Sequence, residues 1–294
     1  MYMSFYDDIV PITNDLLPEK DCIRFDFSNE ECGLFCSKAG GVPYYPKSMA
    51  YPTGSGDCEG MVLRFLAQLN FEELPHIPGF PERGILQFFI SNDLDMALPS
   101  AGELHSGYKV VYHKDIITDT SLLYGEDDLP EWDDEYSEFP VTREYKIVGK
   151  LSKSKATIDD FRFENAVIRY LEDKTGVSVS SLFELYNADE KKYDPVRSFI
   201  GSEEELEKLW MINRDEDSSI PSQAGGYPSF SQADPRNRYH QDHTVTLFQF
   251  GSVYDYENDI FIEWGDDGGA VFFITEKALS ELDFSEVLFD WDCG

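Results

Sequence analysis

Apolar residues along this chain cluster in short runs that are separated by glycine, proline and acidic residues. Short continuous apolar runs bounded by turn residues are typical of strands that are buried on both faces of a sheet. Runs of this kind predict strands at 62–70, 84–91, 108–113, 143–148, 244–250, 260–264, 269–275 and 287–291. Strands therefore dominate the predicted fold.

Helical periodicity is limited to a few segments between and beside these strands. Apolar residues at helical spacing after Thr157 predict a helix that ends at Gly176, with Thr157 as its cap. Ser202 followed by three glutamates predicts a capping box and a second helix, and a helical turn is predicted at 276–282. We expect residues 1–30 to form an arm or a short helix that packs on the first half of the chain. Because strands and helices do not alternate, the predicted class is mostly β (α+β) and not a doubly wound nucleotide-binding fold.

One part of this pattern occurs twice. The string Lys38-Ala39-Gly40-Gly41-Val42-Pro43 returns as Gln223-Ala224-Gly225-Gly226-Tyr227-Pro228. After each copy come a strand with a central glutamine, Gln68 or Gln249, and a glycine-led strand that ends in Phe-Phe-Ile. A duplicated half is the simplest account, and it predicts two related, roll-like sheet lobes within one compact unit. The predicted boundaries are an N-terminal lobe at 1–150 with its repeat at about 33–115, a helical connector at 151–215 and a C-terminal lobe at 216–294.

The composition indicates an ordered and strongly acidic protein. Hydrophobic residues make up 41% of the 294 residues and aromatic residues 15%, which is enough apolar surface to offset the entropy of folding. The chain carries 57 acidic and 24 basic residues, for a formal net charge of −33. Such a surface repels nucleic acid phosphates and anionic lipids, and it would steer a basic partner toward the protein. The alternative is that the charge serves solubility alone; the acid-rich segment 126–138 predicts a long exposed loop.

The cysteines and the N-terminus predict a cytoplasmic protein. The five cysteines form an odd set without a Cys-x-x-Cys pair, so we expect reduced thiols. They are Cys22, Cys32, Cys36, Cys58 and Cys293. The first residues lack the basic and apolar regions of a signal peptide, and no apolar run is long enough to span a bilayer.

The motifs of the two halves together resemble the YwqG-like family of bacterial proteins of unknown function. The strings that carry the resemblance are Ala39-Gly40-Gly41-x-Pro43, Phe65 to Leu74, Gly84 to Ile90, and Trp264-Gly265-Asp266-Asp267-Gly268-Gly269. The resemblance implies a cytosolic bacterial protein with a mainly β, roll-like fold built by duplication. It brings no established activity and no catalytic residues. Some members occur near polymorphic toxin genes, which implies an immunity role for those members.

The repeated turns and glutamines are candidate binding residues. Backbone N–H groups at Gly40, Gly41, Gly225 and Gly226 could form a nest for an anion in each half. The alternative, which we favour, is that these glycines allow a sharp turn with positive φ. Gln68 and Gln249 could read a ligand with their amides, but buried glutamines more often hold a loop backbone in place.

Two loops of the second half carry the remaining candidates. The acids and the indole of Trp264, Asp266 and Asp267 could lie at the rim of a cleft, although Asp-Gly and Gly-Gly pairs are also typical of hairpin turns. His240, Asp242 and His243 are weak candidates for a metal site, because zinc requires three or four ligands of defined geometry. We expect a hydrated loop there and therefore no metal and no cofactor.

No common catalytic signature is present in the sequence. It contains no Gly-x-Ser-x-Gly elbow, no His-Glu-x-x-His motif, no phosphate loop and no dinucleotide fingerprint. We therefore interpret the chain as a non-enzymatic, acidic, cytosolic binding protein for a basic protein partner, such as a toxin domain, without nucleic acid or membrane partners. The alternative is an enzyme or a protein that binds a small ligand or metal in the cleft between the two repeats.

Overall fold

A computed structural model describes residues 4–98, 104, 106–132, 138–187, 191–214 and 219–294. The chain divides into two compact units, each made from several stretches of sequence. The helical unit comprises Met1–Lys20, Lys153–Ser218 and Gly226–Ser229. The sheet unit comprises Asp21–Ser152, Ser219–Gly225 and Phe230–Gly294. The strands of both sequence repeats thus belong to the same unit.

The main element of the sheet unit is a ten-stranded sheet, and a separate sheet has two strands. The strands are β1 Lys20–Ser28, β2 Lys38–Ala39, β3 Arg64–Asn70, β4 Ile85–Ile90, β5 Tyr108–His113, β6 Tyr145–Ser154, β7 Gln223–Gly225, β8 Val245–Gly251, β9 Val253–Asp255, β10 Ile260–Ile262, β11 Gly269–Ile274 and β12 Leu288–Asp292. The order in the large sheet is β12-β11-β8-β7-β1-β6-β2-β3-β4-β5, and β9 pairs with β10 in the small one. This architecture confirms the predicted mostly β class.

The two halves of this sheet have matching strand orders. Outward from β6 lie β2, β3, β4 and β5, and outward from β1 lie β7, β8, β11 and β12. A bulge interrupts the pairing of β3 with β4 at Leu66, and a bulge interrupts the pairing of β8 with β11 at Leu247. Both leucines precede the central glutamine of their strand by two residues. An origin by duplication stays a prediction.

The sheet is strongly rolled, so that its first and last strands meet. The Tyr108 hydroxyl on β5 donates a hydrogen bond to the carbonyl oxygen of Val287, just before β12, at 2.8 Å. Within the roll, the ring centroid of Phe88 lies 4.7 Å from those of both Phe248 and Phe272. All three phenylalanines are fully buried, and burying a side chain of this size contributes about 1.5–3 kcal/mol. The paired Phe-rich strands thus form one core for both halves.

The expectation for residues 1–30 is correct for a helix but wrong for its packing site, and it misses a strand. Phe5–Leu16 forms helix α1, which packs against helices of the helical unit. Lys20–Ser28 forms β1, a central strand whose Ile23 pairs with Ala224 of β7. This strand has no continuous apolar run, because charged residues alternate with its buried residues. Its neighbours in the sheet, β6 and β7, both come from distant parts of the sequence.

The helices are α1 Phe5–Leu16, α2 Leu94–Ala97, α3 Phe161–Thr175, α4 Leu182–Asn187, α5 Asp194–Ile200, α6 Glu203–Trp210 and α7 Glu276–Glu281. The predicted cap of α3 is corrected from Thr157 to Asp160, whose carboxylate accepts a hydrogen bond from the Arg162 N–H at 3.0 Å. Gly176 ends this helix with φ +70°, as predicted. At α6, the Ser202 hydroxyl caps the Glu205 N–H. The Glu205 carboxylate turns instead to the Tyr6 N–H, at 3.1 Å.

The expectation of five reduced cysteines is wrong for one pair. Cys32 and Cys36 form a disulfide. Cys22, Cys58 and Cys293 are not disulfide-bonded; the first two are buried and Cys293 is partly exposed. Among the described residues, none of the helices combines the length and the apolar character that a membrane crossing requires.

Candidate functional site

The carboxylate of Glu144 lies directly against the first Gly-Gly turn. Gly40 and Gly41 have φ values of +66° and +72°. A Cβ atom on Gly41 would lie 2.2 Å from Oε2 of Glu144, and the same oxygen accepts a hydrogen bond from the buried Lys38 Nζ at 2.9 Å. A Cβ atom on Gly40 would lie 2.3 Å from the carbonyl oxygen of Arg143. Positive φ and close approach therefore both require glycine here.

A cavity of about 330 Å³ opens beside this turn, and we call it the turn pocket. Its polar and aromatic lining includes Tyr51, Arg64, Trp132, Arg143, Glu126 and Glu144. The Arg64 guanidinium lies 4.3 Å from the ring centroid of Phe139 and donates to Asn92 Oδ1 at 2.9 Å. Burial raises the pKa of Tyr51, so its hydroxyl is a neutral donor. Guanidinium groups beside aromatic rings can hold a planar or anionic molecule.

The second Gly-Gly turn shares the backbone conformation but not the surroundings. Gly225 and Gly226 have φ values of +73° and +72°. A Cβ atom on Gly225, the counterpart of Gly40, would lie 2.7 Å from Cδ1 of Ile77, so an apolar side chain stands where the first turn has the Arg143 carbonyl oxygen. The two turns are therefore equivalent in backbone and different in chemistry.

Gln68 joins a buried network that holds the loop between β2 and β3 and the segment before β2. Its Oε1 accepts hydrogen bonds from the Tyr44 N–H at 2.9 Å and from Gln87 Nε2 at 3.0 Å. Its Nε2 donates to the carbonyl oxygens of Leu34 and Cys36, each at 2.8 Å. These four bonds use the full capacity of the amide. In the other half, Gln249 is also buried and pairs across the ladder with Gln223.

Of the three candidate residues in the Trp264 loop, one lies in the core and two lie at the surface. Trp264 is fully buried, and its ring centroid lies 6.1 Å from that of Phe250 and 6.4 Å from that of Trp291. Asp266 and Asp267 are exposed in the turn that follows. The indole therefore belongs to the main core, and the structure does not bring it to the surface with the two acids.

The loop before β8 brings three candidate ligands together. Ligand atoms of His240, Asp242 and His243 all lie within 4.8 Å of one another. His243 is buried and Asp242 is exposed. Among the described residues, these three form a group whose side chains could together hold a metal ion.

Beside this loop lies a buried ion pair that the sequence reasoning missed. Arg236 and Asp234 form two parallel bonds, Nε–Oδ1 at 2.9 Å and Nη2–Oδ2 at 2.6 Å. Arg236 is fully buried, and its guanidinium lies 3.9 Å from the ring centroid of Phe273. The same Asp-x-Arg spacing forms a two-bond pair between Asp160 and Arg162 in the helical unit. This spacing was the signal that could have revealed the pair.

Near this pair, a carboxyl of the sheet unit has a strongly raised pKa. Burial, together with the charges of Asp292 and Asp234, raises the pKa of Asp290 to about 7. An unfolded aspartate has a pKa of about 4. Asp290 therefore holds a proton in the folded protein at pH values where the unfolded chain releases it.

This shift predicts a pH dependence of stability. Between about pH 4 and about pH 7 the folded state binds the extra proton, so the contribution of Asp290 to the free energy of unfolding falls as the pH rises. Urea titrations at several pH values should give a smaller decrease over this range for Asp290→Asn than for the wild type. Asp266→Asn, at an exposed position, is the matched control and should keep the wild-type slope. Equal slopes for wild type and Asp290→Asn would contradict the assignment.

The helical unit carries an apolar groove of about 580 Å³ between α4 and α6, which we call the α4–α6 groove. Its lining residues are Phe183, Tyr186, Asn187, Glu207, Trp210 and Met211. Phe183 is 68% exposed and Met211 59% exposed, which is unusual for contiguous large apolar side chains. The Trp210 ring packs edge-on against Tyr186 at 6.0 Å. Trp210 is therefore partly buried: it packs against the core of the helical unit and also lines the groove.

Comparison with known protein families assigns the chain to one family. A family model described as Domain of unknown function (DUF1963) matches residues 37–293. No curated protein matches the chain. The YwqG-like resemblance remains a resemblance, and the match adds no ligand or activity to the geometry above.

Proposed function

We propose a function from the geometry itself, because the chain belongs to the DUF1963 family, a domain of unknown function. The protein is a non-enzymatic binding protein that receives a basic, amphipathic segment of a partner protein in the α4–α6 groove. The observation that carries the proposal is the exposure of Phe183, Tyr186 and Met211 around one concave apolar surface. Helices that dock in grooves of this type insert apolar anchors at helical spacing.

Charge supports a basic partner over a neutral one. Glu207 lines the groove, and Glu203 and Glu204 are exposed on the same helix. The whole chain carries a net charge of −33, which accelerates encounter with a cationic protein and repels anionic ones. A toxin domain with a basic surface is one partner of this chemistry, and the protein would then act as its immunity partner. The reduced, buried thiols of Cys22 and Cys58 suit a cytoplasmic setting, whereas the Cys32–Cys36 disulfide is more typical of an oxidising one.

The proposal predicts selective binding of a basic amphipathic helix. In calorimetric titrations of the full chain, a synthetic leucine-lysine helix should bind, and a leucine-glutamate helix of equal length should not. The double variant Phe183→Ser/Met211→Ser should weaken binding by at least about tenfold, since anchor pockets carry most of an interface's free energy. Higher ionic strength should also weaken binding of the leucine-lysine helix by the wild type.

The matched control is Leu151→Ser, which removes an apolar side chain of similar exposure, 59%, from the sheet unit. This variant should bind the leucine-lysine helix as the wild type does. The groove variant and this control can then be titrated with proteins encoded beside the gene. Equal binding by the groove variant and the wild type, or binding that ignores salt, would overturn the proposal.

A second candidate function is favoured by the turn pocket. Arg64 and Arg143 beside Trp132 and Tyr51 give a small concave site suited to an anionic or planar ligand. The pocket is lined by residues of the first half only, so this alternative differs from a cleft between repeats. A thermal-shift screen with nucleotides and sugars distinguishes the two functions, because ligands of the turn pocket do not need Phe183 or Met211.

A further inference from the structure

We infer that the loop formed by His240, Asp242 and His243 binds one divalent transition-metal ion. The inference rests on the hydrogen-bond partners of His243. Its Nε2 lies 3.0 Å from the carbonyl oxygen of Glu286. A carbonyl oxygen only accepts hydrogen bonds, so Nε2 carries a hydrogen atom.

The other ring nitrogen of His243 faces a carboxylate. Its Nδ1 lies 3.0 Å from Oδ1 of Asp242. A carboxylate oxygen only accepts hydrogen bonds. With the hydrogen on Nε2, two lone-pair-bearing atoms therefore face each other at Nδ1 and Oδ1. A metal ion bound to both atoms would satisfy this arrangement.

His240 supplies the third ligand. Its ring centroid lies 5.2 Å from that of His243, and the ligand atoms of the three residues lie within 4.8 Å of one another. His240 has φ +56°, a left-handed conformation that is uncommon outside glycine and that costs free energy unless the surroundings maintain it. The turn is closed by the His243 N–H, which donates to the His240 carbonyl oxygen at 3.0 Å.

The support around His243 is typical of a metal ligand. Histidine ligands usually donate their second ring N–H to a carbonyl or a carboxylate, which fixes the ring and the tautomer. Glu286 provides that carbonyl. The His243 backbone is held as well, because its carbonyl oxygen accepts a hydrogen bond from Arg236 Nη1 at 3.1 Å. His243 is thus rigid and buried, while the exposed Asp242 leaves the opposite side open to water.

The donor set selects the class of metal. Two imidazoles and one carboxylate suit zinc, cobalt, nickel or copper, whereas magnesium and calcium prefer oxygen ligands alone. Three protein ligands with an open side leave coordination positions for water or for a group of a partner molecule. Such a site lies in the sheet unit and is independent of the α4–α6 groove.

The test is a titration of the full chain with zinc chloride in excess magnesium chloride, which saturates weak carboxylate sites. The Cys293→Ser background removes the partly exposed thiol. One zinc ion per chain is expected to bind, and His240→Ala and Asp242→Ala should each weaken binding by at least about tenfold. Both residues have solvent access, so these variants avoid the folding risk of replacing His243. Cobalt should give a visible absorption band of the same stoichiometry.

The matched control is His76→Ala, because His76 is exposed and lies outside the cluster. This variant should bind zinc as the background does. An absence of saturable one-to-one binding, or equal affinity in His240→Ala, Asp242→Ala and the control, would overturn the inference.

Discussion

Replacing Asp234 with alanine is expected to lower the free energy of unfolding by about 3–5 kcal/mol, because the change leaves a buried guanidinium without its carboxylate. The side chains of Arg236 and Asp234 are 0% and 3% exposed. Asp234 also accepts a hydrogen bond from the Arg236 N–H at 2.9 Å, and this bond caps the turn. Urea unfolding followed by circular dichroism measures the change.

The matched control is Asp259→Asn. Asp259 also pairs with an arginine, Arg143, at 2.6 Å, but both side chains are more than half exposed. Asparagine removes the charge and tolerates the left-handed φ of +54° at this position. Exposed pairs contribute about 0–1 kcal/mol, so this variant should unfold close to the wild type. A cost for Asp234→Ala no larger than that of Asp259→Asn would show that the Arg236 charge is solvated or compensated in another way. The double variant Asp234→Ala/Arg236→Met should recover part of the loss, since it removes the unpaired charge.

The strands that the sequence predicts well are those whose burial is complete on both faces. β4 and β11 are buried at every position, so a continuous apolar run identifies them without knowledge of their neighbours. The paired turns are predictable for a similar reason. Positive φ at Gly41 and Gly226 is a local requirement that glycine meets, and replacement of either by valine is still expected to destabilise the fold.

The division into units could not be predicted, because it depends on contacts between distant parts of the chain. β1 alternates charged and buried residues and reads as an irregular segment until β7 is placed beside it. The helical unit collects three separate stretches of sequence. The apolar periodicity within one stretch does not show that it packs with the other two.

The candidate site is predictable only where chemistry is local. The Asp234–Arg236 pair and the His240–His243 turn each lie within a few residues, so spacing alone could propose them. The groove could not be predicted in this way, because the sequence does not distinguish the exposed Phe183 from the buried Leu182: both are apolar. Their difference in exposure arises from the packing of α4 on its neighbours, which buries Leu182 and Leu185.

The second large loss of stability is expected from a substitution in the first Gly-Gly turn. Gly40→Ala is expected to lower the free energy of unfolding by about 2–5 kcal/mol, from about 1–2 kcal/mol of left-handed strain and about 1–3 kcal/mol of steric overlap. The overlap is with backbone, since the new Cβ would lie 2.3 Å from the Arg143 carbonyl oxygen. Val141 Cγ1 would lie at 2.9 Å. Because a backbone carbonyl cannot rotate away as a flexible side chain can, β6 and the segment before it would have to move.

Two other glycines separate the strain from the overlap. Gly79 has φ +87° with no atom within 4 Å of a Cβ position, so Gly79→Ala should cost only the strain, about 1–2 kcal/mol. Gly33 has neither feature, and Gly33→Ala should leave the free energy of unfolding within about 0.5 kcal/mol of the wild type. The expected order of cost in urea unfolding is Gly40→Ala, then Gly79→Ala, then Gly33→Ala. Equal costs at Gly40 and Gly79 would mean that the Arg143 segment yields to a methyl group, and the turn pocket that it lines would then be soft enough to reshape around a ligand.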